Sequence, residues 1–109
     1  MDVELAGLKV SGCWTGGSNA VGETVFESSG GSVEWNCLQP RSNTRIRMGD
    51  RELSGLGYLE RLTLTLPPWQ LPMRELRWGR FVGARDSLVW IDWRGPYSTS
   101  AAWLNGSRP

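Results

Sequence analysis

Apolar and polar residues alternate along most of this chain, in short runs separated by turn residues. Val33, Trp35 and Cys37 alternate with Glu34 and Asn36, for example. Alternation with period two is typical of a β-strand that buries one face. Strands are predicted over residues 3–10 (with a bulge at Gly7), 23–27, 32–38, 44–48, 51–54, 58–66, Glu75–Val82, Ser87–Arg94 and Thr99–Leu104.

Turn-forming residues separate these runs. The segment 15–22 is predicted as a Gly-rich loop, 28–31 as a hairpin turn, and Pro40 as the end of the strand before it. About nine short strands with little helical periodicity favour an all-β fold, an antiparallel lipocalin-like β-barrel that is either closed or incomplete and distorted. A barrel of about eight strands is filled by side chains or holds one small ligand. Residues 1–109 are predicted to form one such domain.

The composition excludes several classes of function. The net charge is +1, and no run of like charge occurs, so no nucleic-acid partner is predicted. The chain has no His, which excludes imidazole catalysis and the usual zinc sites, and no metal or cofactor is predicted. No apolar run reaches the ~20 residues of a membrane span, and the first residues do not resemble a signal peptide. A cytoplasmic location is therefore expected, with Cys13 and Cys37 as free, half-buried thiols in preference to a disulfide.

Tyr58 and Glu60 are the strongest candidates for a functional site. Both share the parity of the leucines at 62, 64 and 66, so both side chains are predicted to point toward an apolar face. A carboxylate on such a face is costly unless it is paired, hydrogen-bonded or used. Glu60 could act as a general acid, for which a poorly solvated carboxyl group is suited. Alternatively, Glu60 forms an ion pair with Arg80, which shares the parity of Trp78 on the strand Glu75–Val82.

Tryptophan is unusually abundant, with seven residues in the chain. Large rings can fill a small barrel or line a ligand cavity, and both interpretations stay open. Trp35, Trp78 and Trp90 are the rings predicted to contact a ligand. The strand Ser87–Arg94 is apolar on both faces, with Asp92 of undetermined direction. A homodimer is therefore predicted to cover Val89, Ile91 and Trp93, the residues expected to be exposed on a monomer.

Three segments occur in an order that resembles a known family. They are Trp35-Asn36-Cys37 followed by Pro40, then Gly57-Tyr58-Leu59-Glu60, then Leu76-Arg77-Trp78-Gly79-Arg80. Over residues 33–92 the chain resembles the carotenoid 1,2-hydratase (hydroxyneurosporene synthase) family and, more loosely, its lipocalin-like relatives of the AttH type.

This resemblance implies a lipocalin-like barrel that takes a long apolar substrate. It also assigns acid–base roles to Tyr58, Glu60 and Trp35, with aromatic rings stabilising a carbocation. The hydratases carry Asp where this chain has Glu60, and they are several times longer, with two lipocalin-like units. These differences favour binding over the family's reaction.

Three functions follow from these observations. The first is a protein that binds an apolar or aromatic small molecule in a Trp-lined cavity, with Tyr58, Glu60 and Arg80 as the polar contacts. The second is a hydratase- or isomerase-type acid–base enzyme that uses Glu60. The third is a protein–protein interaction module with a filled interior.

Overall fold

The computed structural model describes residues 1–16 and 20–109, which form eight β-strands and two single-turn 3-10 helices. The strands are β1 (Asp2–Leu5), β2 (Val10–Thr15), β3 (Val21–Ser28), β4 (Gly31–Met48), β5 (Arg51–Leu64), β6 (Glu75–Val82), β7 (Ser87–Arg94) and β8 (Thr99–Leu104). The 3-10 helices cover Ala6–Leu8 and Pro68–Gln70. Every strand pair is antiparallel, so the predicted all-β antiparallel class is confirmed.

The strands form a large sheet and a small sheet. The large sheet has the order β1-β2-β4-β3 with β5 on the other edge of β4, and the small sheet has the order β6-β7-β8. The 18-residue strand β4 is the central strand of the large sheet. β3 pairs with its first half, β2 pairs with its second half, and β5 pairs with both halves. No strand of the described residues hydrogen-bonds one sheet to the other, so these residues do not form a closed barrel.

The hydrophobic core lies where the small sheet packs on the first half of β4. It contains the buried residues Trp35, Cys37, Val89, Ile91 and Trp103. The rings of Trp35 and Trp103 approach to 5.1 Å between centroids, one ring from each sheet. Interdigitated aromatic rings bury a large apolar area, which lets a chain of this size stabilise a two-layer fold.

The strand β7 buries one face completely. Val89, Ile91 and Trp93 are only 2%, 7% and 2% exposed, because the large sheet covers them within one chain. The prediction that these three residues are exposed on a monomer is therefore wrong. Asp92 lies on the opposite face, where it pairs with Arg94 at 2.7 Å. The hydrogen bond from Ser100 is the main reason that the pKa of Asp92 is lowered.

Pro40 does not end a strand, contrary to the sequence prediction. It lies inside β4, within the second of two register shifts in the pairing with β5, between Gln39 and Ser42. On the other edge of β4, β3 pairs only up to Cys37 and β2 begins at Asn43. No register partner therefore requires the N–H that proline lacks, and proline is accepted in strands at such bulges.

Other predicted boundaries also differ. The predicted segments 51–54 and 58–66 belong to one continuous strand, β5, which ends at Leu64. Gly57 does not interrupt it: a Cβ there would lie 3.0 Å from the Cβ of Thr44, so glycine permits a close cross-strand approach. The predicted strand 3–10 is two strands, because the chain reverses through Ala6–Leu8 with Lys9 in a left-handed conformation. Of the predicted loop 15–22, residues 17–19 lie outside the described residues.

The large sheet extends well beyond the small one, which makes the molecule flat, with dimensions of 47 × 36 × 19 Å. We call this extension the arm; it consists of residues 1–15, 43–48 and 51–57, in β1, β2 and the adjoining halves of β4 and β5. None of these arm residues is buried.

Arg41 joins the two sheets at the base of the arm. Its Nε donates to the carbonyl of Gly83 at 2.8 Å, and its Nη2 donates to the carbonyl of Ala84 at 2.7 Å. Both carbonyls belong to the turn between β6 and β7. A guanidinium group that donates two charge-assisted hydrogen bonds fixes the position of this turn over β4.

Replacing Arg41 with Met should destabilise the fold by about 1–3 kcal/mol, because two hydrogen bonds from a charged donor are lost. Urea unfolding measures the change in the free energy of unfolding. Arg61→Met is the matched control, since Arg61 lies on β5 and is exposed. Equal losses in the two variants would contradict this role of Arg41.

Candidate functional site

Glu60 receives two hydrogen bonds at the interface between the sheets. It lies opposite Cys37 in the β4–β5 ladder, so its side chain faces the core with that of Trp35. The indole Nε1 of Trp35 donates to Glu60 Oε2 at 2.9 Å, and Nη2 of Arg80 forms an ion pair with the same oxygen. The predicted ion pair between Glu60 and Arg80 is confirmed.

Arg80 is a nearly buried cation whose guanidinium group is surrounded by partners. The side chain of Arg80 is 9% exposed and that of Glu60 is 24% exposed. Nη1 of Arg80 donates to Cys37 Sγ at 3.7 Å, and the guanidinium carbon lies 3.5 Å from the centre of the Tyr58 ring. A cation over an aromatic face gains electrostatic stabilisation in addition to its ion pair.

Tyr58 is more exposed than expected. It is 43% exposed, and its ring covers Arg80 from the solvent side. The side chain shares the face of Glu60, as its parity predicts, but the ring is not enclosed there. Its position explains the difference: β5 continues from the sandwich into the arm near this residue, where the small sheet no longer covers it.

A small cleft opens next to the ion pair, between β5 and β6. Its volume is about 110 Å³. It is lined by Trp35, Glu60, Leu62, Leu76, Trp78, Val89, Trp90 and Ile91. Leu62 and Trp78 are 55% and 59% exposed, and they form the mouth. The structure thus places an exposed apolar mouth beside a paired carboxylate.

Only some of the residues predicted to bind a ligand line this cleft. Trp35, Glu60 and Trp78 line it, whereas Arg80 pairs with Glu60 and Tyr58 stacks on Arg80 outside the lining. Trp90 also belongs to the lining, but its ring lies over Gly79 on the outer face of the small sheet. Its side chain is therefore directed away from the ion pair.

Glu60 keeps one carboxylate oxygen for further bonding. Both of its hydrogen bonds use Oε2, and Oε1 has no hydrogen-bond partner within residues 1–16 and 20–109. Oε1 is not among the buried polar atoms that lack a partner, so solvent or a ligand can reach it. The site therefore offers one hydrogen-bond acceptor, on a residue that lines an apolar cleft.

Cys37 lies beside Arg80 and is fully buried. Burial raises the pKa of its thiol, and the hydrogen bond from Arg80 opposes this shift in part. A buried thiol of raised pKa is a poor nucleophile, so Cys37 acts as a packing residue. Both cysteines are free, as predicted, although Cys37 is more buried than expected.

Leu62, Leu76 and Cys37 were not assigned to the site from the sequence. The sequence could have identified them, because each lies an even number of residues from Glu60, Arg80 or Trp35 on its strand and therefore shares its face. The sequence does not show the distance between the sheets, which decides whether such residues form a filled core or a cleft.

Comparisons with family models, with curated proteins and with solved structures found no match to this chain. Within the described residues, no helix has the length and apolar character needed to cross a membrane.

Breaking the ion pair from one side should be costly, and more so where the remaining charge has little access to water. Glu60→Gln leaves Arg80, only 9% exposed, without its carboxylate and should lower the free energy of unfolding by about 3 kcal/mol or more. Arg80→Met should lower it by less, because the remaining carboxylate is 24% exposed. The double variant should lose less than the sum of the single variants, with a coupling of roughly 0.5–3 kcal/mol. Thermal and urea unfolding of all four proteins measure this cycle.

The exposed pair of Arg77 and Glu75, at 2.7 Å on the same strand as Arg80, is the matched control. Exposed pairs contribute about 1 kcal/mol or less, so Arg77→Met and Glu75→Gln should show little coupling. Strictly additive losses for Glu60 and Arg80 would show that the two charges do not depend on each other.

Proposed function

We propose that this protein binds a small apolar or aromatic molecule in the cleft between β5 and β6. The observation that carries the proposal is an exposed apolar mouth next to a carboxylate whose Oε1 is open to a donor. Pockets for small molecules combine apolar walls with a few placed polar groups.

The size of the cleft supports a small occupant. Its volume of about 110 Å³ is below that of pockets for drug-sized ligands, which start near ~300 Å³. An apolar cavity of ~150 Å³ holds one benzene ring. The cleft is smaller than that, so it takes part of one aromatic ring, or the end of an apolar chain, with the rest of the ligand lying over Leu62 and Trp78.

The charge of the site supports a neutral ligand. Arg80 already balances the charge of Glu60, so an added cation would gain little at Oε1. A neutral O–H or N–H group would gain a charge-assisted hydrogen bond there. The ligand we propose is a neutral aromatic or polyene compound that carries a hydroxyl or an N–H at one end.

The resemblance to the carotenoid hydratase family adds the lipocalin-like part of this proposal. In this interpretation, the two sheets correspond to an open, lipocalin-like binding fold, and the polyene end enters the cleft. Acid–base catalysis by Glu60, Tyr58 and Trp35 is the less favoured proposal. Oε2 of Glu60 accepts from two donors, an arrangement suited to a permanent acceptor rather than to a proton donor.

Phenol and a short polyene alcohol should bind more tightly than toluene and the matching polyene hydrocarbon. One net hydrogen bond to Oε1 corresponds to a difference of roughly 2- to 10-fold in affinity. Tryptophan fluorescence and two-dimensional NMR titrations measure the binding. Trp78→Ala removes one side of the mouth and should weaken binding by about tenfold or more.

Trp69→Ala is the control for Trp78→Ala. Trp69 is 83% exposed, lies in the helix Pro68–Gln70, and does not line the cleft. Its removal should leave the affinity unchanged. Absence of saturable binding by folded protein, or equal effects of the two substitutions, would overturn the binding proposal.

A further inference from the structure

The arm has one apolar face, which we call the apolar arm face. Its residues come from all four strands of the arm and alternate with polar residues along each strand. They are Met1, Val3, Leu5, Val10, Trp14, Ile46, Met48 and Leu53. The antiparallel register places them on one side, since directly opposed residues share a face.

Five of these eight side chains are exposed in a single copy, and the other three, Val10, Trp14 and Ile46, are half-buried. Met1, Leu5 and Leu53 are 51%, 50% and 52% exposed. The surface is also flat: a Cβ at Gly12 would lie 2.6 Å from Cη2 of Trp14, so the glycine allows the indole ring to lie against the sheet. Contiguous exposed apolar areas of this kind mark interaction surfaces.

The opposite face of the arm is suited to water. There Glu52 forms ion pairs with Arg45 at 3.3 Å and with Arg47 at 3.2 Å, and Asp2 and Glu4 lie on β1, which β2 separates from β4. The charged face of the arm is therefore well solvated by water, whereas the apolar arm face is not.

The small sheet cannot cover the apolar arm face. Leu53 and Glu60 have opposite parity on β5, so their side chains lie on opposite faces of the large sheet. At both register shifts the extra residue belongs to β4. The side chains along β5 therefore keep alternating between the two faces of the sheet. Glu60 faces the small sheet, and Leu53 therefore faces away from it.

We propose that the apolar arm face binds the same face of a second copy of this chain, around a two-fold axis. In a two-fold interface the same patch meets itself, so like charges near the axis would repel. The centre of this face is apolar, and the charged Arg51 lies at its rim, next to the turn that follows Met48. An uncharged, flat sheet face is self-complementary, and two such faces pack about 10 Å apart.

The area predicts a dimer of modest affinity. Four strands about 4.8 Å apart, each with about six residues at about 3.4 Å, present roughly 400 Å² of flat area per copy. Projecting side chains increase the accessible area, which still falls below the ~800 Å² per partner of a standard stable complex. We therefore expect a concentration-dependent dimer in the micromolar range.

Sedimentation equilibrium of the wild-type protein between about 1 and about 500 µM should show a reversible shift from monomer to dimer. Leu53→Glu should weaken this association by about 100-fold or more, because two carboxylates would enter the apolar interface. The matched control is Leu56→Glu: Leu56 is on the same strand, is 45% exposed, and lies on the opposite face. Circular dichroism verifies that both variants are folded.

A wild-type protein that stays monomeric over the whole range would overturn the proposal, without any variant being needed. Dissociation by Leu56→Glu but not by Leu53→Glu would also overturn it and would place the contact on the other face. The cleft lies on the opposite side of the large sheet, so Leu53→Glu should bind phenol as the wild type does. The dimer and the proposed binding function can therefore fail independently.

Discussion

The ion pair of Glu60 and Arg80 is the interaction on which the packing of the two sheets depends. Placing two charges away from water is expensive, and the cost is offset only where the pair has good geometry and further hydrogen bonds. Here Trp35, Cys37 and Tyr58 supply those contacts from the large sheet, while Arg80 comes from the small one. Apolar side chains alone would allow the small sheet to slide over the large sheet. Arg80 reaches its partners on the large sheet in only one arrangement, so this buried charge fixes the position of the small sheet.

The second constraint is the irregular region of β4 around Pro40. On one side of it, Trp35 and Cys37 direct the apolar face of the large sheet toward the small sheet. On the other side, Ile46 and Met48 present apolar side chains on the opposite face of the large sheet. The two halves of one continuous sheet thus carry their apolar side chains on opposite faces, and only the half that the small sheet covers buries them. The change of apolar face falls in the region of the register shifts.

The sequence predicts the regular parts of this molecule well. The strands β6, β7 and β8 begin and end where they were predicted, because turns that contain Gly, Pro or Asp bound these segments. Parity along two strands was also sufficient to predict the ion pair. The strand through Pro40 was not predictable, because its tolerance depends on where β2 and β3 stop pairing. The exposure of Tyr58 and Trp78 was not predictable either, since the edge of the small sheet determines it.

The absence of buried residues in the arm, residues 1–15, 43–48 and 51–57, has a thermodynamic consequence. Regions with few buried contacts open in local fluctuations, whereas core strands open only when the whole domain unfolds. We therefore expect two cooperative units of unequal stability that share the strands β4 and β5. Amide hydrogens near Trp35 should exchange through global unfolding, and those near Ile46 through opening of the arm alone. The arm can therefore unfold locally while the cleft between β5 and β6 stays folded.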